Sequence, residues 1–460
     1  MQKKTTSCAI IGSGPGGVTA ALQAAKFGVD VTLIEAQKVG GICLHEGCIP
    51  SKALLHVAKL LSESKEANDF GIEFSAKLDW AKLRSWNQSV IQKLYAGLHH
   101  LIKKQGISLI QGEASFLDSS SLLIRKSDGC EEKLSFDKAI IATGSRPIMP
   151  SWIKRDSSCL LDSQSALQLN DIPRTLLVVG GGYIGLELGT VYARLGSQVT
   201  IIEMTGQWLA GIDSDLMAVL QKRLHKTFKT LHLQAKLIDI HKKDNSLCAK
   251  WENEKKETTE EEFEKILMAV GRQPNTEHCG LENTQAQMDE DGFIKANEKC
   301  QTDDPSIFAI GDVTGPPMLA HKASAEARMA VEVIAGQTNV ARIRTIPAVV
   351  FTDPEIATCG LSETQAKKEN RPVKIEKFSW MASGRATTLK RNDGLTKIIV
   401  DPQSEKILGM GIVGVGAGEL IAQGVIAVDQ GLKVSDIASS IYPHPTLSET
   451  IGEAALNFYQ

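Results

Sequence analysis

The chain has 460 residues, enough for about three domains and a large apolar core. Lys and Arg number 51 against 54 Asp and Glu, a net charge of −3, so no basic excess exists to hold nucleic acid or an anionic membrane surface. The nine cysteines are odd in number and mostly scattered, as in a reducing compartment and unlike a secreted disulfide framework.

Residues 8–11 are the only apolar run before the first glycine cluster, too short for the core of a signal peptide. The longest apolar tract, 407–428, contains Glu419 and several glycines, and reads as strand, turn and helix rather than a membrane span. A soluble cytoplasmic protein without membrane insertion is expected.

In chain order, residues 7–11 predict a short buried strand, followed by Gly12-Ser-Gly14-Pro-Gly-Gly17. A helix over 18–27 stopped by Gly28 comes next, then a strand over 31–34 ending at Glu35. Strand, glycine turn, helix, strand and terminal acid together predict a dinucleotide site. The glycines admit a pyrophosphate, the helix start stabilises its charge, and the acid accepts from ribose hydroxyls.

Residues 40–52 read Gly-Gly-Ile-Cys-Leu-His-Glu-Gly-Cys-Ile-Pro-Ser-Lys, with Cys43 and Cys48 five positions apart. Five helical residues rise about 7.5 Å, beyond the roughly 4.4–6.8 Å between Cα atoms of a disulfide. A bridge therefore needs distorted backbone, which Gly40, Gly41 and Gly47 permit and Pro50 favours. A redox-active disulfide is expected; two free thiols or half a zinc site are the alternatives. Zinc would need further ligands, and with no second close cysteine pair no metal centre is expected.

The first unit closes with a strand over 139–142 leading to Thr143 and Gly144. Residues 152–174 are loop-rich. The dinucleotide unit then recurs at an offset of 168 residues: a strand over 177–179, Gly180-Gly-Gly182-Tyr-Ile-Gly185, a helix over 186–195, and a strand over 199–202 ending at Glu203. Gly12, Gly14, Gly17, Gly28 and Glu35 each have the same residue type at that offset, which predicts two dinucleotide sites. Residues 252–264 are charged and poorly periodic, a solvated hairpin or turn without a site. A strand over 266–270 precedes Gly271.

Residues 307–310 predict a buried strand ending at Gly311 and Asp312, followed by a helix through 334. A carboxylate there points into the crevice where doubly wound sheets bind ligands, the alternative being a helix N-cap. From about residue 344 the pattern changes to alternating strands over 348–351, 373–378, 396–400 and 407–413, with helices over 362–369 and 418–430. This α+β unit has no nucleotide motif and suits association or substrate closure. In Tyr442-Pro-His444-Pro-Thr-Leu-Ser-Glu449, Pro445 suits a first helical position, and Glu449 can accept from His444 and leave its other ring nitrogen basic. The competing readings are a capping box over 446–449 and a surface turn.

These motifs resemble the pyridine nucleotide-disulfide oxidoreductases from the first glycine turn to the last helix. The resemblance rests on Gly-Gly-x-Cys-x4-Cys-Ile-Pro-Ser-Lys, Ala-Thr-Gly-Ser-Arg-Pro, Gly-Gly-Gly-Tyr-Ile-Gly-Leu-Glu, Val-Gly-Arg-x-Pro-Asn, Ala-Ile-Gly-Asp and His-Pro-Thr-x-x-Glu. It implies an α/β fold of two Rossmann-like domains and a C-terminal α+β dimerisation domain. The FAD domain would take 1–144 and 271–343, the NAD domain 145–270, and the dimerisation domain 344–460.

FAD would meet Gly12, Gly14, Gly17, Glu35, Gly41, Lys52, Ala114, Thr143, Gly144, Asp312, Ala320 and His321. NAD would meet Gly180, Gly181, Gly182, Tyr183, Ile184, Gly185, Glu203, Leu237, Ala269 and Gly271. The resemblance makes Cys48 the thiolate facing the flavin, Cys43 the thiol exchanging with substrate, and Lys52 with Glu187 an ion pair. His444, oriented by Glu449, would be the base for the disulfide of the other subunit of a homodimer.

The implied reaction oxidises dihydrolipoamide carried on a lipoylated acyltransferase or H-protein-type partner. A glutathione- or mercuric-type reductase and a non-catalytic dinucleotide-binding protein are the alternatives. His45 and Glu46 depart from the asparagine and valine usual in the family, and residues 209–213 lack the usual proline.

Overall fold

The strand expected over residues 7–11 is the end of a longer one, Lys3–Ile11, in a computed structural model that describes residues 3–73, 75–153, 158–338, 343 and 345–460. The expected loop over 152–174 and the domain boundary at 343/344 thus lie partly outside the described residues. Two units make up the chain: Met1–Ala53 with Asp79–Ile148 and Gly271–Ile343, and Leu54–Leu78 with Met149–Val270 and Arg344–Gln460.

In the first unit Lys3–Ile11 lies between Val31–Glu35 and Glu131–Ile141, parallel to both. Cys8, Ala9 and Ile10 have no exposed surface, because helices and strands cover both faces of a parallel sheet and its central strands become uniformly apolar. Ser108–Gln111 extends one side, Ser121–Arg125 and Glu113–Asp118 the other, and Ile307–Ala309 also pairs with Glu131–Ile141. Helix Pro15–Lys26 starts inside the glycine motif, earlier than the expected residue 18, with extended Gly14 as N-cap and Pro15 in the first turn. Proline is favoured there because the N–H it lacks would have no helical partner.

In the second unit the parallel sheet runs Thr230–His232, Gln198–Ile202, Thr175–Val179, Lys265–Met268, Leu160–Leu161. An antiparallel sheet of Lys236–Lys243, Ser246–Glu252 and Thr258–Phe263 adjoins it in sequence. The charged stretch over 252–264 is therefore a turn and third strand, anchored by buried Trp251 and Phe263.

The C-terminal sheet is ordered Ala348–Val350, Glu355–Gly360, Ile407–Gly414, Leu395–Val400, Lys374–Ser379, all antiparallel. Glu355–Gly360 was not expected, since Pro354 precedes it and its apolar residues do not alternate strictly. The 407–428 tract divides into Ile407–Gly414 and helix Ala417–Gln430. Among the described residues no helix is long and apolar enough to cross a membrane.

Residues 209–213, without a reading in the sequence, end at a buried charge cluster. Lys397, 1% exposed in its side chain, bonds Asp213 at 2.7 Å, Asp215 at 2.8 Å and Glu363 at 3.2 Å. Asp213 also accepts from the N–H groups of Glu363 (3.0 Å) and Thr364 (2.9 Å), which open helix Glu363–Lys368. Burial alone would raise the Asp213 pKa, but Lys397 and these N–H groups outweigh it and hold the carboxyl at about 2.

The Lys397→Met variant leaves the buried Asp213 carboxylate without a counter-ion, while Asp215 and Glu363 keep Lys377 and Lys367, and should lose roughly 3–5 kcal/mol in denaturant unfolding. An unchanged midpoint would contradict this. The pKa of Asp213 is depressed on folding, so its stabilisation is complete above the ordinary value of 3.8 and is lost as pH falls through about 2. Asp213→Asn should therefore weaken the pH dependence of stability in that window.

Candidate active site

The two glycine turns repeat the same backbone hydrogen bonds. Gly12 N–H donates to Ile34 O at 2.8 Å, and Gly180 N–H to Ile202 O at 2.9 Å. Glu35 accepts from the N–H of Ser13 (2.9 Å) and Gln37 (2.7 Å), while Glu203 accepts from the N–H of Gly181 and Thr205, both at 2.7 Å. Each terminal acid thus holds its own turn closed, a role not read from the sequence.

A side chain at Gly17 would strike the carbonyl of Gly12, and one at Gly185 that of Gly180. Gly14 and Gly182, the N-caps, face open space, and no side chain caps either helix. Backbone that a group can approach, beside an uncapped helix start, fits a pyrophosphate. Tyr183 and Ile184 follow in the first turn of helix Tyr183–Leu195. Ala269 O lies against Gly180, and Leu237 is buried in the core with Val179 and Trp251.

Thr143 and Gly144 are bound to Asn275. Thr143 Oγ1 donates to Asn275 O at 2.7 Å, Asn275 Nδ2 to Thr143 O at 2.9 Å, and Asn275 N–H to Gly144 O at 2.9 Å. Arg272 Nε donates to Ser145 Oγ at 2.8 Å, and Ser145 Oγ to Asp312 Oδ2 at 2.5 Å. Asp312 lies in the 3-10 turn Gly311–Thr314, and Leu319 is the N-cap of the following helix, so the N-cap alternative for Asp312 does not hold.

Ala320 and His321 open helix Ala320–Ile334. Buried Lys322, paired with Glu326 at 3.0 Å, donates to Gly311 O at 3.2 Å, and Glu326 accepts from Gly311 N–H at 2.6 Å. Sequence reasoning passed over Ser145, Arg272, Asn275, Lys322 and Glu326. The motifs Ala-Thr-Gly-Ser-Arg-Pro and Val-Gly-Arg-x-Pro-Asn contain the first three; charge spacing at i, i+4 was the signal for the last two. Gly271, with φ +124°, lies in the first unit and accepts from Ile148 N–H at 3.0 Å. Ala114 sits on strand Glu113–Asp118 against the core.

Cys43 stands in helix Gly41–Glu46 and Cys48 opens helix Cys48–Glu66. The break between them is Gly47, at φ −147° and ψ −110°, so glycine interrupts the helix as expected. Pro50 is tolerated in the new first turn instead of ending it. A side chain at Gly41 would sit 2.8 Å from Gly14 Cα, so the cysteine helix packs directly on the first glycine turn.

Both cysteines are thiols in this structure. A hydrogen bond with Cys48 and then burial push the Cys43 pKa up, while the charge of Lys52 acts the other way. Cys43 borders a cavity of about 220 Å³ shared with Gly14, Pro15, Thr19 and Leu98. The departing residue His45 is held by Val39 O at 2.8 Å and lies edge-on to Tyr95, ring centres 5.5 Å apart.

In the second unit Glu187 is 3% exposed and accepts from Phe351 N–H at 2.9 Å. His444 Nδ1 meets Glu449 Oε1 at 2.8 Å, and Glu449 Oε2 accepts from Thr446 N–H at 2.7 Å. Glu449 thus meets the His444 ring with one oxygen and the Thr446 backbone with the other, but Thr446 is not a helix N-cap, so the capping-box reading over 446–449 does not hold. Both bonds hold the Glu449 pKa below its ordinary value, that with Thr446 the more strongly. Pro445 is not at a first helical position: the helix is Glu449–Leu456 with Ser448 as N-cap, and the His444–Pro445 bond is cis. His444 is 78% exposed in its side chain.

Residues 6–327 match the family model described as pyridine nucleotide-disulphide oxidoreductase, and 346–455 match that family's dimerisation domain. A dihydrolipoyl dehydrogenase of Haemophilus influenzae is 39% identical over 98% of this chain and 94% of its own. One of Buchnera aphidicola is 42% identical over 99% and 96%. The crystal structure of LpdA from Mycobacterium tuberculosis superposes with a TM-score of 0.92 at 25% identity, covering 98% of this chain and 99% of that one.

Proposed function

The chain belongs to the pyridine nucleotide-disulphide oxidoreductases, and we propose that it oxidises protein-bound dihydrolipoamide to lipoamide with reduction of NAD. The observation that carries this reading is the Cys43 and Cys48 pair, in mutual contact beside the first glycine turn, in a chain whose relatives are named for that reaction. In its oxidised form the pair is a disulfide.

A dihydrolipoamide thiol attacks Cys43 Sγ, the Cys43–Cys48 bond breaks, and Cys48 leaves as thiolate. The second lipoyl thiol then attacks the lipoyl sulfur of the mixed disulfide and releases Cys43, so the substrate is oxidised and the pair reduced. His444 accepts the thiol proton at Nε2, because Glu449 holds Nδ1 and so fixes the tautomer. Bound FAD and NAD supply the electron relay and hydride acceptance that return the pair to its disulfide.

Gly12, Gly14, Gly17, Glu35, Gly41, Ala114, Thr143, Gly144, Asp312, Ala320 and His321 would hold FAD. Gly180 to Gly185, Glu203, Leu237, Ala269 and Gly271 would hold NAD. Lys52 and Glu187 would flank the reacting rings. The dimerisation domain supports a homodimer in which His444 serves the cysteine pair of the other subunit. A lipoylated acyltransferase or H-protein would deliver substrate, and the scattered cysteines suit the reducing cytoplasm.

The test is NADH formation from dihydrolipoamide by the FAD-loaded protein, beside NADPH oxidation with glutathione disulfide or Hg2+. Activity with lipoyl substrate is expected. Activity confined to the other two would assign a different reductase.

NAD rather than NADP is expected as the acceptor. Glu203 closes its turn with a full carboxylate, and no lysine or arginine follows until Lys222, so a ribose 2′-phosphate would meet repulsion without a partner. Like charges in contact cost several kcal/mol, so kcat/KM should favour NAD by about 100-fold or more. Equal values would refute the assignment.

A further inference from the structure

The antiparallel sheet of Lys236–Lys243, Ser246–Glu252 and Thr258–Phe263 carries a second cluster of ligating side chains. Leu247, Ala249 and Trp251 of its middle strand are buried in the core, so alternation turns Cys248 and Lys250 to the opposite face. On that face His241 pairs directly with Cys248, and Glu260 lies diagonally across on the third strand. We propose that His241, Cys248 and Glu260 bind a borderline-soft divalent transition metal ion, for which Zn2+ is the probe.

The three ligand atoms lie within 4.8 Å of one another. Cys248 Sγ is 3.3 Å from Glu260 Oε1, and His241 Nε2 is 3.9 Å from the same oxygen. Tetrahedral zinc has bonds of about 2.0–2.3 Å, which set its ligand atoms roughly 3.3–3.7 Å apart. Half-exposed His241 and Glu260 reach that spacing by small rotations. The imidazole is also oriented as metal-bound histidines are: its other nitrogen, Nδ1, faces Asp239 Oδ2 at 3.3 Å. Thiol, imidazole and carboxylate favour zinc over magnesium or calcium, which take oxygen ligands.

Coordination exchanges the Cys248 proton for the metal, so binding releases that proton to solvent. Three protein ligands leave the fourth position to water. The charged groups on this face are Asp239, Glu252, Glu260 and Glu262 against Lys236, Lys243 and Lys250, and Lys243 is already paired with Glu262 at 2.7 Å. By contrast, the other close acidic group, Asp213, Asp215 and Glu363, already surrounds the Lys397 ammonium. Sheet register and not chain spacing assembles His241, Cys248 and Glu260, so no local sequence motif marks them.

The test uses the FAD-loaded protein kept oxidised, so that Cys43 and Cys48 offer no thiols, with Zn2+ uptake measured against a chromophoric chelator. Uptake of one equivalent per chain, with proton release, is expected. Cys248→Ser and His241→Ala should abolish it, and Asp239→Asn should weaken it by about 10-fold. The double variant Cys43→Ser, Cys48→Ser should keep it. Co2+ should show thiolate-type d–d bands to the red of the flavin absorption, absent in Cys248→Ser. No uptake by the parent protein, or equal uptake by folded Cys248→Ser, would overturn the site; uptake lost in the Cys43, Cys48 variant would reassign it to the redox pair.

Discussion

The Cys43→Ser and Cys48→Ser variants are expected to lose lipoamide turnover entirely while separating in their spectra. A hydroxyl cannot replace either sulfur in making and breaking the S–S bond, so no activity survives either change. The remaining sulfur differs between them. If Cys48 faces the flavin as proposed, Cys43→Ser should show a long-wavelength thiolate-to-flavin charge-transfer band, and Cys48→Ser should show none. Cys48 is exposed and Cys43 partly covered; the motif divides their roles, and this spectrum tests that division. A band in Cys48→Ser would exchange the two roles.

The second large effect is expected at His444. General-base catalysis contributes about 10²–10⁴-fold, and His444→Gln should lose turnover on that scale. Glu449→Gln should lose less, because an amide can still accept from Nδ1 but no longer stabilises the protonated ring. Since Glu449 also holds Thr446 N–H, the pH profile separates the roles: loss of the base changes the profile, whereas loss of the backbone bond lowers stability without moving it. Refolding His444→Gln together with Cys43→Ser should restore measurable activity in hybrid dimers. Folded, dimeric mixtures without activity would exclude a base supplied across the subunit interface.

Much of this architecture was legible in the sequence because two strong local signals repeat. The glycine turns, their strands and their terminal acids recur at one offset, and the structure repeats even their hydrogen bonds. Helix starts were read late because apolar periodicity begins only after the glycines, whereas Pro15 and Tyr183 are already helical. Local spacing could not reveal groups joined across the chain: Arg272, Ser145 and Asp312 come from three separate segments, and Lys397 reaches Asp213 from 184 positions away. The charged stretch over 252–264 looked featureless because Phe263 is its one apolar residue and gives no period to read, and only sheet register brings Glu260 to Cys248. Pro445 misled because proline suits a helix start equally well in a turn before one.

The central claim is that the nucleotide and the cysteine pair are coupled through one redox path. The measurement that tests it most directly is anaerobic titration of thiols after adding NADH to the FAD-loaded protein. If the account holds, NADH exposes the thiols of Cys43 and Cys48 in the parent protein and exposes none in the Cys43→Ser, Cys48→Ser double variant. If the protein binds NADH yet yields no new thiols, the chain is a dinucleotide-binding protein without disulfide chemistry, and the account is contradicted.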